Sequence, residues 1–190
     1  PPPPPTPEQI VTDVINQLQL NTPLPPSGTQ IDPALVAKMT ELSRATKTKL
    51  SPTEDGKLAL LKLSQKVDSK IRQSFNNNLW TFVLAYSELH GILNPGSSKF
   101  NVQTTRAIAE LKRPIVVIKA IINDSLTDRS LARLEMTLPL EGRTVTESLK
   151  QGDQLYGLRF VEVIGNNQGI VFEYSETGEL FDVLTKAASK

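Results

Sequence analysis

Residues 152–184 read GDQLYGLRFVEVIGNNQGIVFEYSETGELFDVL, and this stretch decides the fold class of the second half of the chain. Apolar side chains are concentrated in three short runs, at residues 158–164, 170–174 and 180–184. Asn and Gly residues separate these runs, and both tolerate the positive φ that tight turns require. The stretch therefore predicts three short strands joined by hairpin turns.

Two further strands are predicted upstream, after Pro114. Apolar residues alternate along both segments, and a period of two is typical of a strand. The first set is Val116, Ile118, Ala120 and Ile122, and the second is Ala132, Leu134, Met136 and Leu138. Residues 113–190 are therefore interpreted as a small antiparallel β-domain of about five strands, folded as a sandwich or a partly open barrel.

Helix signals dominate the chain before residue 112. Thr6-Pro7-Glu8-Gln9 has the spacing of a capping box with proline at the first helical position. Asp32-Pro33 predicts the start of a second helix, and residues 51–54 predict the start of a third. Residues 78–93 are typical of a fourth helix, and residues 103–111 of a shorter fifth one.

The predicted third helix has two distinct faces. We expect its inward face to carry Leu58, Leu61, Val67 and Ile71. A basic series follows another face, comprising Lys57, Lys62, Lys66 and Lys70. These lysines are either the solvated side of an amphipathic helix or contacts to a polyanion or an anionic membrane surface.

Proline marks the beginning of the chain. Ten of the 14 prolines lie in the first 33 residues, and the run Pro1–Pro5 favours a stiff polyproline II spacer. We therefore divide the chain into a Pro-rich arm with one short helix (residues 1–31), a helical domain (32–112) and the β-domain (113–190). Helices followed by strands predict the α+β class rather than alternating βαβ units.

The composition argues against most enzymes. The chain has 21 Lys and Arg, 20 Asp and Glu, no Cys and the single histidine His90. A histidine-dependent triad or a multi-histidine metal site would rest on His90 alone, and its position near a predicted helix C-terminus favours a dipole partner instead. The balanced charge does not favour nucleic acid. We expect no catalytic residues, metal, cofactor or small-molecule substrate.

The order of signals in the second half resembles a known family. An aliphatic strand is followed by Ser130-Leu131-Ala132-Arg133-Leu134-Glu135, then by residues 150–155 (KQGDQL), residues 156–164 (YGLRFVEVI), a turn and two more strands. This order is similar to the periplasmic homology region shared by type II secretion protein C and type IV pilus assembly protein P. Gly152 and Asp153 would form its structural turn, glycine permitting the turn and aspartate bonding nearby backbone amides.

The resemblance implies a function without catalysis. Members of that family couple the two membranes of the envelope: an upstream segment, absent from this chain, tethers them to the inner membrane. A Pro-rich stalk crosses the periplasm, and the β-domain docks on an N-terminal domain of the outer-membrane secretin. The resemblance thus implies a periplasmic location and, as further partners, inner-membrane components of the secretion or pilus machine.

We place the expected docking contact on the first strand, at Val116, Ile118 and Ala120, with Arg159 as a charge at its rim. A sheet edge offers main-chain hydrogen bonds to a partner strand. The competing interpretation is that these aliphatic residues are core, above all Ile118. Two other functions stay open: a polyanion or nucleic-acid-binding module that uses Lys62, Lys66 and Lys70, and a virion or other assembly subunit.

Overall fold

The computed structural model describes residues 3–189 and has the predicted α+β order, helices first and antiparallel sheets second. Pro1 and Pro2 of the predicted spacer lie outside the described residues. The helices are α1 (Pro7–Gln17), α2 (Pro33–Leu50), α3 (Glu54–Asn76), α4 (Trp80–Leu93) and α5 (Asn101–Lys112). Within residues 3–189, no helix combines the length and apolar character needed to cross a membrane.

Side chains cap the first three helices at their N-termini. The predicted capping box of α1 is present: the Gln9 backbone N–H donates to Thr6 Oγ1 (3.2 Å), and the Thr6 N–H donates to Gln9 Oε1 (2.8 Å). Asp32 caps α2 by accepting from the Ala34 N–H (2.9 Å). In α3 the cap is Thr53, which accepts from the Gly56 N–H (3.0 Å).

Helix α3 supplies a buried stripe to the core of the helical unit. Its members recur every four residues, which places them on one side of a helix: Ala59, Leu63, Val67 and Ile71. The predicted inward positions of Leu58 and Leu61 are wrong, since these side chains are 63% and 55% exposed. They lie about 100° and 160° around the helix axis from Ala59, counted at 3.6 residues per turn, so they face away from the stripe.

Helix α1 belongs to the helical unit and is not part of a separate arm. Val11, Val14 and Ile15 are buried in the same core as Leu63 and Ile71. The chain accordingly divides into two compact units, one ending at Ile108 and the other beginning at Ala109. This differs from the predicted boundaries after residues 31 and 112, because the apolar side of α1 needs a partner and finds it on α3.

The second unit contains two antiparallel sheets. Their orders are β1-β2-β3 and β4-β5-β6-β7. The strands are β1 (Ile115–Asp124), β2 (Arg129–Leu138), β3 (Arg143–Lys150), β4 (Gln154–Leu155), β5 (Leu158–Ile164), β6 (Gly169–Tyr174) and β7 (Glu179–Leu184). Inward side chains of both sheets form one core, which includes Leu134, Met136, Phe160 and Phe172. All five predicted strand segments after residue 114 are present, together with β3 and the short β4.

A β-bulge changes the facing of side chains along β1. Ile118 pairs with Leu134 and Ala120 pairs with Arg133, so Lys119 is an extra residue in the ladder. Before the bulge Val116 and Ile118 face the core, whereas after it Ile121 packs against the core and Ala120 is exposed. The predicted single alternating face from Val116 to Ile122 is therefore wrong beyond Ile118, because an extra residue reverses the alternation.

Candidate functional site

Strand β1 forms one edge of the three-stranded sheet. In the described part of the chain it pairs only with β2, so its other edge has main-chain groups outside any ladder. Two large aliphatic side chains on this strand are exposed, Ile115 at 61% and Ile122 at 56%. An edge strand of ten residues with exposed aliphatic side chains is suited to pairing with a partner strand.

The four predicted docking residues do not form one surface. Ile118 is buried in the core of the β-unit, as in the competing interpretation of the sequence, and Val116 packs against that core. Ala120 is exposed on β1. Arg159 lies on β5 and is paired with Glu173 opposite it on β6, with 2.8 Å between Nε and Oε2. Its charge is thus already neutralised within its own sheet.

The turn at Gly152 depends on the backbone conformation of the glycine and on backbone hydrogen bonds. Gly152 has a φ of +93°, and its N–H donates to the Phe160 carbonyl (2.7 Å). The Phe160 N–H in turn donates to the Asp153 carbonyl (3.1 Å). Among residues 3–189 the Asp153 carboxylate has no hydrogen-bond partner, so the predicted bond from this side chain to backbone amides is absent. The position requires glycine because of its left-handed backbone conformation.

The lysine series of α3 contacts the N-terminal part of the chain. Lys62 forms an ion pair with Glu8, Lys66 donates to the Asn21 side chain (3.0 Å), and Lys70 donates to the Thr22 carbonyl. The Lys70 side chain is buried. Burial is the main cause that lowers the pKa of Lys70, and the nearby positive charge of Lys66 lowers it further. These lysines hold α1 and the following segment on α3.

These contacts argue against a polyanion-binding surface. Lys57, the fourth member of the series, is paired with Glu54 on its own helix (2.6 Å). Every lysine of the series therefore already has a partner within the chain, and Lys70 is also only 4% exposed. Three aromatic side chains of α4 that could otherwise stack on nucleic-acid bases pack in or against the helical core: Trp80, Phe82 and Tyr86.

A hydrogen-bonded group of polar side chains surrounds His90 in the helical unit. Its Nδ1 lies 2.7 Å from Asp68 Oδ1, and its Nε2 lies 2.9 Å from Ser97 Oγ. Lys99 Nζ lies 2.5 Å from the other carboxylate oxygen of Asp68. The sequence pattern did not predict this cluster, because its members come from α3, α4 and the loop after α4. In the described residues, no group of three or more His, Cys, Asp or Glu side chains could hold a metal ion.

A second polar junction lies where α5 leads into β1. The Arg113 guanidinium stacks over the rings of Tyr174 (5.0 Å to the centroid) and Phe181 (4.7 Å) and pairs with Glu179 (2.6 Å). The Tyr174 hydroxyl donates to the Ala109 carbonyl (2.6 Å), and burial raises the pKa of this hydroxyl. This junction stabilises the β-unit.

Comparison of the chain with protein-family models, with curated protein sequences and with solved structures gave no match. The assignment of function therefore rests on the residues and geometry described above.

Proposed function

We propose that this chain is a coupling component of an envelope-spanning secretion or type IV pilus machine, with a β-unit that docks on an N-terminal domain of the outer-membrane secretin. The observation that carries the proposal is the edge of β1, which has main-chain groups free of any ladder within the described residues and exposed aliphatic side chains. The resemblance of residues 115–185 to the periplasmic homology region supplies the kind of partner.

The residues that we propose for the docking contact differ from the four predicted from the sequence. Ile118 is too buried to meet a partner without opening the core, and Arg159 already has a partner. We therefore place the contact at the exposed positions of β1, namely Ile115, Ala120 and Ile122. Strand addition would derive affinity from main-chain hydrogen bonds and selectivity from these side chains.

A titration of the full chain against secretin N-terminal domains from the same genome tests the proposal. We expect saturable binding in the micromolar range, weakened at least tenfold by the double substitution Ile115→Glu and Ile122→Glu. Leu140→Glu is the matched control, because Leu140 is 66% exposed but lies in the turn after β2. Absence of binding by the folded chain would overturn the function, whereas binding that both variants retain would overturn only the assignment to β1.

A further inference from the structure

A continuous hydrogen-bonded path leads from a buried carboxylate to an exposed hydroxyl in the helical unit. It comprises Asp68 on α3, His90 on α4 and Ser97 in the loop after α4, with the two distances of 2.7 and 2.9 Å given above. Asp68 and His90 are only 8% and 5% exposed, whereas Ser97 is on the surface. This inference goes beyond the docking function and concerns the other unit of the chain.

The partners fix which nitrogen of a neutral His90 carries the proton. A carboxylate can only accept, so Nδ1 must donate to Asp68 Oδ1. Nε2 is then the acceptor, and the Ser97 hydroxyl donates its proton to it. This is the arrangement in which an imidazole acts as a general base on a serine.

The surroundings hold this arrangement in place. The His90 and Phe100 rings pack in a T-shaped arrangement, with centroids 4.9 Å apart and planes at 88°. The Ser97 N–H donates to the Asn94 carbonyl (3.1 Å), which fixes the turn that carries the hydroxyl. The Lys99 backbone N–H lies 3.3 Å from Ser97 Oγ and donates to it. This bond helps to fix the position of Ser97 Oγ.

We propose that Ser97 is an activated nucleophile that accepts acyl groups from small esters. Ser97 Oγ attacks the ester carbonyl and transfers its proton to His90 Nε2. The bond to the leaving alcohol then breaks, and that alcohol takes the proton from His90. Water then gives a proton to His90 Nε2 and attacks the acyl carbonyl. The bond between the acyl group and Ser97 Oγ breaks, Oγ takes the proton back from His90, and the net reaction is hydrolysis of the ester to an acid and an alcohol. Asp68 is a positioning residue that holds the tautomer and stabilises the transient imidazolium.

The substrate class follows from where the hydroxyl lies. Ser97 is in an exposed loop, so the reacting carbonyl approaches from solvent. Esters of a good leaving group are the simplest substrates for such a site, because the departing oxygen needs little stabilisation. The probes are therefore p-nitrophenyl acetate and a fluorophosphonate reagent. This departs from the expectation, drawn from the sequence, that the chain has no catalytic residue.

The test uses the full chain and a control inside the same loop. Ser98 is also exposed and, among the described residues, forms no hydrogen bond with His90, so the two neighbouring serines differ in activation. After fluorophosphonate treatment, peptide mass spectrometry should show Ser97 labelled at least tenfold faster than Ser98. General-base assistance is worth about 10²–10⁴-fold in rate. Equal labelling of the two serines, or labelling of neither, would overturn the proposal.

Three variants separate activation from a structural role of the cluster. Ser97→Ala should reduce p-nitrophenyl acetate hydrolysis to the level of the uncatalysed reaction, whereas Ser98→Ala should leave it unchanged. Lys99→Met removes the cation that competes for Asp68, so labelling of Ser97 should rise severalfold. If Lys99→Met leaves the labelling rate unchanged, the carboxylate does not act through His90 and its positioning role is refuted.

Discussion

Two glycines lie inside helices, and they differ in what surrounds their α-carbons. A Cβ added at Gly56 in α3 would lie 1.9 Å from the Leu50 carbonyl oxygen, whereas one added at Gly91 in α4 would meet open space. Gly56→Ala should therefore lower the free energy of unfolding by about 1–3 kcal/mol through overpacking. Gly91→Ala should raise it by up to about 1 kcal/mol, because alanine favours helix. Urea denaturation of both variants measures the difference, and equal effects would refute the close approach at Gly56.

A second prediction at the residue scale concerns the pairing of Glu8 with Lys62. The hydrogen bond and charge of Lys62 lower the pKa of Glu8 from its ordinary value of 4.5. The pairing therefore contributes stability above pH 4.5 and loses it as the pH falls through the lowered pKa. In Lys62→Met the pKa of Glu8 should return toward its ordinary value, as followed by NMR of the carboxyl group.

Lys57→Met is the matched control for this titration. Lys57 also lies on α3, but its partner is Glu54, so its removal should leave the pKa of Glu8 unchanged. A pKa of Glu8 that is the same in the wild type and in Lys62→Met would show that the ion pair is not formed in solution.

At the scale of elements, Arg113 stabilises the β-unit through two aromatic rings and a carboxylate. Lysine would keep the charge but lose the planar stacking over Tyr174 and Phe181. Arg113→Lys should therefore destabilise the β-unit by about 1 kcal/mol. Arg133→Lys, on the exposed face of β2, is the control and should have little effect. Thermal unfolding followed by near-ultraviolet circular dichroism compares the two, and equal midpoints would refute the role of stacking.

Local signals in the sequence predicted the elements better than they predicted the contacts between them. The cap at Thr6 and the strand over residues 158–164 follow from neighbours in sequence, and both are present. The bulge at Lys119 reversed the facing of Ala120, because one extra residue has no signature in an alternating apolar run. The partner of Lys70 lies 48 residues away in sequence, so periodicity alone could not identify it.

At the candidate sites too, contacts between residues distant in sequence could not be predicted from local patterns. The edge position of β1 could be anticipated from its place at the start of the β-domain, but the burial of Ile118 depends on packing between two sheets. Asp68, His90 and Ser97 meet only because α3 packs against α4 and the loop folds back. A lone histidine in a sequence gives no indication of which carboxylate or hydroxyl will reach it.

At the scale of the whole molecule, each of the two units has its own core. Leu63 is fully buried in the helical core and Phe172 in the β core. Leu63→Ala should cost about 2–5 kcal/mol and Phe172→Ala about 3–5 kcal/mol, because each leaves a cavity. Hydrogen exchange of the full chain should show lost protection mainly in the unit that carries the substitution. Loss spread evenly over both units would contradict two independent cores.

The bulge in β1 also bears on how the protein avoids aggregation. Fibrils grow when identical flat strands add edge to edge in register. The extra residue at Lys119 bends β1. A regular strand could therefore form ladder hydrogen bonds with β1 on one side of the bulge, but not along the whole length of β1. Deleting Lys119 would give a longer uniform template, and we expect faster fibril formation at high concentration, measured by thioflavin fluorescence. A partner that matches the irregular edge would pair with it selectively, while copies of the chain would be poorly suited to do so.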